Sequence, residues 1–102
     1  MSKQKYSVLI FPTAENDLLE IKEYFENKLK TTVNNLFEKF DKQIGLIENN
    51  PLIYPLVSDT YLNQLGYRMI PVDNFLIFYI ISDNTVQIHR FLYGKRDYLH
   101  IL

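Results

Sequence analysis

The chain has 102 residues, 47% of them hydrophobic, which is the size and apolar content of one domain, 1–102, with one real core. It contains no Cys, which excludes a disulfide framework, a thiolate metal site and a cysteine nucleophile, and makes the cytoplasm the simpler expected location. Its formal charge of −1 excludes whole-molecule attraction to a polyanion, so any nucleic-acid contact must come from a local patch.

Tyr6 to Phe11 is β-branched and aromatic and ends at Pro12, which predicts a first strand. The apolar run there is too short for a signal peptide, and no later run approaches the roughly 18 residues of a spanning helix. A soluble protein with no membrane partner is therefore expected. Thr13 then stands as an N-cap. Leu18, Ile21, Phe25 and Leu29 recur at helical steps, with Glu15 and Asp17 complementing the positive end of the helix dipole, so a helix is predicted over 14–29. Thr31 or Thr32 caps a second helix whose stripe is Val33, Leu36, Phe37, Phe40, Ile44 and Ile47, stopped at Asn49-Asn50-Pro51. The link between the two is short, which predicts an antiparallel helical hairpin. Residues 51–66 carry two prolines and little periodicity, and read as an ordered connector rather than a helix, packed down through Leu52, Ile53, Tyr54, Leu56, Leu62 and Leu65.

From Tyr67 onward, turns at Asp73-Asn74 and Ser82-Asp83-Asn84 cut the chain into three apolar strands that predict an antiparallel meander with Phe75 to Ile81 at its centre. The fold class is α+β: an N-terminal strand, then a helical hairpin packed on one face of a small, twisted, mainly antiparallel four-stranded sheet. The first strand is expected at an edge beside the second, with the opposite face of the sheet left uncovered as a binding surface. Alternation puts Val86, Ile88, Arg90 and Leu92 on one face of the last strand. Gln87, His89, Phe91 and Tyr93 take the other, expected to be the open one.

All the arginine lies in this half, at Arg68, Arg90 and Arg96, and arginine offers a planar fork of donors suited to phosphate or carboxylate. Arg68 and Arg90 interrupt apolar faces, so each either emerges at an edge or is held by a carboxylate, a chain end or a ligand. His89 can serve as acid or base, although a lone His on a half-buried strand is more often a structural hydrogen-bonder. The run Tyr93-Gly94-Lys95-Arg96-Asp97-Tyr98 is the densest in polar capability. Lys95 and Arg96 can neutralise phosphates and Tyr93 and Tyr98 can stack on bases, while the alternative is a strand end solvated by charge. No Gly-rich phosphate loop, HExxH or GxSxG is present, which leaves metal-hydrolase and serine-hydrolase chemistry without support and gives no reason to expect a cofactor or a metal.

The order of these motifs resembles the RelE/ParE superfamily of bacterial toxins from type II toxin–antitoxin modules, often labelled plasmid stabilisation proteins. The resemblance is carried by Gly66-Tyr67-Arg68, Leu76-Ile77-Phe78-Tyr79, Val86-Gln87-Ile88-His89-Arg90 and Tyr93-Gly94-Lys95-Arg96-Asp97, with Pro51 and Tyr54-Pro55 resembling the ParE-type subgroup. It implies the fold read above, a cognate antitoxin as partner and growth inhibition when that partner is absent. It also implies one of two targets: DNA gyrase for ParE-like members, or ribosome-bound mRNA for RelE-like endoribonucleases. Arg96 matches the nuclease-type arginine in its Gly-Lys-Arg context, with Arg68, Lys95 and His100 as further catalytic candidates, and Arg90, His89, Tyr93, Tyr98 and Asp97 as binding candidates. Where cleaving members carry basic residues on the second and third strands, this chain has Tyr67, Met69 and Leu76. Losing such charges costs transition-state stabilisation, so gyrase inhibition is the expected activity, with ribosome-dependent cleavage as the alternative and a non-toxic binding domain as a further one.

Overall fold

The computed structural model describes residues 5–94 and 98–102. Strand β1 (Ser7–Ile10) leads into helix α1 (Pro12–Asn27), and α2 (Asn34–Asn49) returns antiparallel to it. A 3-10 turn (Pro51–Ile53) and a short helix α3 (Thr60–Gln64) follow, then β2 (Arg68–Val72), β3 (Phe75–Ser82) and β4 (Thr85–Tyr93). No helix among the described residues is long and apolar enough to cross a membrane.

The helix ends depart from the expected caps. Pro12 opens α1 because proline at the first helical position loses no hydrogen bond there, and Thr13 is thus inside the first turn, where its hydroxyl donates to the His89 carbonyl at 3.0 Å. The residue before α2 is Val33, although Thr32 still contributes, its hydroxyl accepting from the Asn34 N–H at 3.2 Å. The residues 51–66 depart from the expected helix-free connector, and of the side chains expected to pack down there Leu52, Ile53, Leu56 and Leu65 are exposed while Leu62 is buried. Asp59 caps α3 by accepting from the Leu62 N–H at 3.0 Å, so this segment does contain a helix.

The sheet order is β1-β4-β3-β2, with β2, β3 and β4 antiparallel and β1 parallel to β4. The meander is as expected, but β1 lies beside β4 rather than β2. The outer edge of β2 is already occupied, since Leu56 forms a bridge with Arg68 and the Val57 N–H donates to the Tyr67 carbonyl at 2.9 Å. Pro71 further removes a donor from β2, as suits an outer strand. Both hairpin turns place an Asp at positive φ, 53° at Asp73 and 55° at Asp83, a conformation that short Asx side chains tolerate.

Each face of the sheet carries its own cluster. On the hairpin side Ala14, Ile21, Val33, Leu36, Phe40 and Ile47 of the helices bury Ile70, Ile77, Tyr79, Val86, Ile88 and Phe91 of the sheet. On the other side Val57, Leu62, Tyr67, Phe78 and Leu92 form a second, smaller core, flanked by Met69, Leu76, Ile80, Tyr98, Ile101 and Leu102. The opposite face is therefore not open. Helix α3 and the C-terminal residues cover it, because β3 is apolar on both sides and leaving either one wet would forfeit the burial of Phe78 and its neighbours.

Candidate functional site

The site candidates gather where β4 outruns β1. Strand β1 stops at Ile10, beside Ile88, whereas β4 continues for five more residues. At this point the β3–β4 register shifts: Tyr79 faces Ile88 and Phe78 faces Arg90, leaving His89 as an extra residue in β4. A bulge of this kind re-aims side chains and reverses the alternation beyond it. Gln87 lies on the second face as expected. Phe91 and Tyr93 do not: Phe91 joins the hairpin-side core, and Leu92 joins the second one.

Helix α1 takes over the edge that β1 leaves. Besides the Thr13 bond, the carboxylate of Asp17 accepts from the Phe91 N–H at 3.0 Å, and it receives the guanidinium of Arg90 in a two-pronged pair at 2.7 and 2.8 Å. Asp17 is 3% exposed, and the side chain of Arg90 is 21% exposed. The Asp17 hydrogen bond pushes the Arg90 guanidinium further up from its ordinary value, against the desolvation of burial. Arg90 is thus held by a carboxylate on a helix, one of the alternatives its position allowed. Asp17 is the residue that sequence reasoning assigned to the helix dipole alone. Its signal was spacing: Ala14, Asp17 and Ile21 share the buried stripe, so a charge stood where only a paired charge can stand.

His89 projects from the bulge onto the second face. Its ring stacks on Phe11 with centroids 4.2 Å apart, its Nε2 lies 3.2 Å from the Gln87 Oε1, and its Nδ1 lies 2.8 Å from the Tyr67 hydroxyl. The amide oxygen can only accept, so Nε2 carries the proton and the Tyr67 hydroxyl donates to Nδ1. Burial lowers the imidazole from its ordinary value of 6.5 and raises the Tyr67 phenol, both favouring this neutral pairing. An imidazole held below its unfolded value binds a proton less readily than in the unfolded chain, so stability is full above about pH 6.5 and is lost as pH falls through the folded value. The urea midpoint is expected to fall between pH 7.5 and 5, with a shallower fall in His89→Gln. An equal slope in both proteins would remove His89 as the cause.

Arg68 is also engaged. It lies on the hairpin face opposite Tyr79 and donates to the Tyr54 carbonyl at 2.6 Å. The Tyr79 hydroxyl donates to the Pro51 carbonyl at 2.7 Å, and burial pushes its phenol up to about 12. Both strands thereby tie down the segment that follows α2. Tyr93 is 38% exposed with its ring edge-on to Phe75 at 5.8 Å, and Tyr98 packs its ring 5.0 Å from Phe78. His100 lies in the short C-terminal turn that ends the chain. Lys95, Arg96 and Asp97 lie outside the described residues. The structure therefore brings Arg90 and His89 together at the bulge and sets Arg68 apart on the other face.

Next to the Asp17–Arg90 pair, a groove of about 490 Å³ runs between the second half of α1 and the far end of β4. Its walls are mainly apolar, with Ile21, Tyr24 and Phe25 on the helix, Leu29 just past its end, and Phe75, Phe91 and Tyr93 on the sheet. No group of three or more His, Cys, Asp or Glu among the described residues is arranged to hold a metal ion.

The family profile described as the ParE toxin of the type II toxin–antitoxin system parDE matches residues 8–98. The chain belongs to this family. It is a ParE-type toxin component of a type II module, within the RelE/ParE superfamily. Solved structures share its α+β fold. A chain of the chromosomal ParDE system from P. aeruginosa is 13% identical, with a TM-score of 0.70 over 90% of this chain and 99% of that one. A chain of the E. coli DinJ-YafQ toxin–antitoxin complex is 17% identical, with a TM-score of 0.58 over 87% and 92%. YafQ from E. coli strain BL21(DE3) gives 17% identity and a TM-score of 0.57 over 87% and 93%. No curated protein matches the chain in sequence.

Proposed function

We propose that this one-domain protein arrests growth by inhibiting DNA gyrase through a protein-binding surface, and that a cognate antitoxin restrains it. The observation that carries this reading is the family match over residues 8–98; beside it, Arg68, one of the nuclease candidates, and the binding candidates Arg90 and His89 are engaged within the fold. Arg90 is bound to Asp17, Arg68 to a backbone carbonyl, and His89 is neutral between Tyr67 and Gln87. Phosphodiester cleavage needs charge stabilisation and proton transfer from groups free to meet the substrate, and these three are committed to the fold. The target-contacting residues are proposed to be Tyr93 and the run from Lys95 to His100, with Arg96 foremost.

Supercoiling by purified gyrase, assayed with and without the purified chain, tests the proposal. Loss of supercoiling is expected, and Arg96→Ala is expected to weaken it while leaving the thermal midpoint unchanged. Unimpaired supercoiling, with new in-frame 5′ ends on mRNA in expressing cells, would instead establish ribosome-dependent cleavage. Normal growth of cells holding the folded protein would establish a non-toxic binding domain.

A further inference from the structure

We infer that two copies of this chain associate through the outer edge of β1, pairing antiparallel about a twofold axis at Leu9 so that their sheets join into one. This pairing does not depend on the target of the toxin. It follows from the state of the edge, from its register and from its charge.

Strand β1 has a neighbour on one side only. The Ser7 N–H donates to the Asn84 carbonyl and the Phe11 N–H to the Ile88 carbonyl, each at 2.9 Å, so Ser7, Leu9 and Phe11 turn their backbone groups towards β4. Alternate residues of a strand turn theirs the opposite way, which sends those of Tyr6, Val8 and Ile10 outward. The Tyr6 N–H is taken by the Glu48 carbonyl at 2.9 Å. The backbone groups of Val8 and Ile10 have no partner among the described residues. The devices that usually blunt such an edge are missing from the strand itself, for Ser7-Val8-Leu9-Ile10 carries no charge, no proline and no bulge. The outer edge of β2, by contrast, is closed by Leu56 and Val57 and interrupted at Pro71.

The register is set by which groups remain free. Pairing about Leu9 places Val8 of each copy opposite Ile10 of the other, where the two exchange N–H and carbonyl in both directions. Every outward donor and acceptor of Val8 and Ile10 is then used. The next pair along is Tyr6 opposite Pro12, and neither has an N–H to add, since Tyr6 has given its own to Glu48 and Pro12 has none. The ladder is thus bounded at both ends. A slip that sets Val8 opposite itself leaves the Ile10 carbonyl facing Tyr6 with no donor, and one that sets Ile10 opposite itself leaves the Val8 carbonyl facing Pro12.

Side chains and charge fit a second copy. Val8 and Ile10 pack against the hairpin-side core, so Leu9 points to the other face, where it is 52% exposed. On the axis it meets Leu9 of the other copy at a non-hydrogen-bonded position, where side chains approach most closely. The chain carries a formal charge of only −1, which sets little repulsion between copies. Antiparallel pairing also brings the exposed Lys5 of one copy level with Thr13 of the other, in the first turn of α1 that holds Glu15.

Sedimentation equilibrium of the full chain, with amide NMR, tests the pairing. The mass is expected to rise from one chain towards two between about 10 µM and about 1 mM, because an edge contact belongs to the small, weak class of interface. The Val8 and Ile10 amides are expected to shift and to gain exchange protection over the same range. Leu9→Lys is expected to weaken association about tenfold, by setting like charges opposite one another, and an equimolar mixture of Leu9→Lys with Leu9→Glu is expected to restore it. Position 9 is exposed, so both variants are expected to keep the spectrum of the folded protein. Val8→Pro, which deletes an outward N–H and leaves the bonds to β4 intact, is expected to weaken association as well. A chain that stays monomeric to about 1 mM, association undiminished in Leu9→Lys, or concentration-dependent shifts centred away from β1 would overturn the inference.

Discussion

Replacing Asp17 by Ala is expected to destabilise the protein by about 3–5 kcal/mol, because it removes one partner of a buried ion pair and leaves the other behind. The lower half of that range is favoured by the 21% exposure of the Arg90 side chain, through which water can partly resolvate the orphaned guanidinium. A second loss works the other way. The Phe91 N–H, which bonds to Asp17 at 3.0 Å, is left with no acceptor in a core position, and an unmet buried donor costs about 1–3 kcal/mol. Such a loss is a large share of the 5–15 kcal/mol that is typical for a domain. Urea unfolding followed by circular dichroism measures it. The double variant Asp17→Leu, Arg90→Met is expected to recover part of the loss, since apolar side chains of similar volume can replace a buried pair at little cost. Recovery stays incomplete because Phe91 still lacks its acceptor. A loss below about 1 kcal/mol in Asp17→Ala would place the pair among surface ion pairs in energetic terms and remove its role as the clamp between α1 and β4.

The Asp17–Arg90 clamp also shows what could be read before the fold was known. Helical periodicity places Ile21, Leu36, Phe40 and Ile47 inward, and all four are buried, whereas Leu29 of the same expected stripe falls past the end of α1 and is exposed. Turn chemistry places the two hairpins of the meander at Asp73 and Asp83, since few other residues accept positive φ there. Those readings rest on local rules that the tertiary structure has no cause to override. The position of β1 is different in kind, because no local property of Ser7–Ile10 encodes which edge it joins. That choice depends on Leu56 and Pro71 having already closed the far side of β2, and Pro71 was the available signal. The bulge at His89 left a trace that is easily passed over, since Val86-Gln87-Ile88-His89 alternates apolar with polar and the second polar residue in a row, Arg90, breaks the pattern. Reading past it assigned Phe91 and Tyr93 to the wrong face. Arg90 was a warning, for a charge within an apolar strand requires a partner, and α1 offered one acid on its buried stripe.

Phe78→Ala is expected to cost about 3–5 kcal/mol, as large as a substitution in the hairpin-side core, because Phe78 is buried on the face that sequence alone would leave wet. The size of that loss depends on whether α3 and the C-terminal residues form a real second core. Phe78 is 0% exposed, its ring lies edge-on to Tyr67 at 6.4 Å and tilted to Tyr98 at 5.0 Å, and Leu62 and Leu92 complete its surroundings. Cavity cost grows with how little the site can collapse, and Phe78 is held in the central strand by neighbours on both edges. Tyr98→Ala is expected to lose less, since that side chain is only half-buried and sits near the end of the chain. Comparing the two by urea unfolding separates a packed second core from a loosely draped tail. A loss near zero for Phe78→Ala would return this face of the sheet to solvent. A full loss for Phe78→Ala with a small one for Tyr98→Ala would make Tyr67, Leu62 and Val57 the supports of that core, with the C-terminal residues its lid.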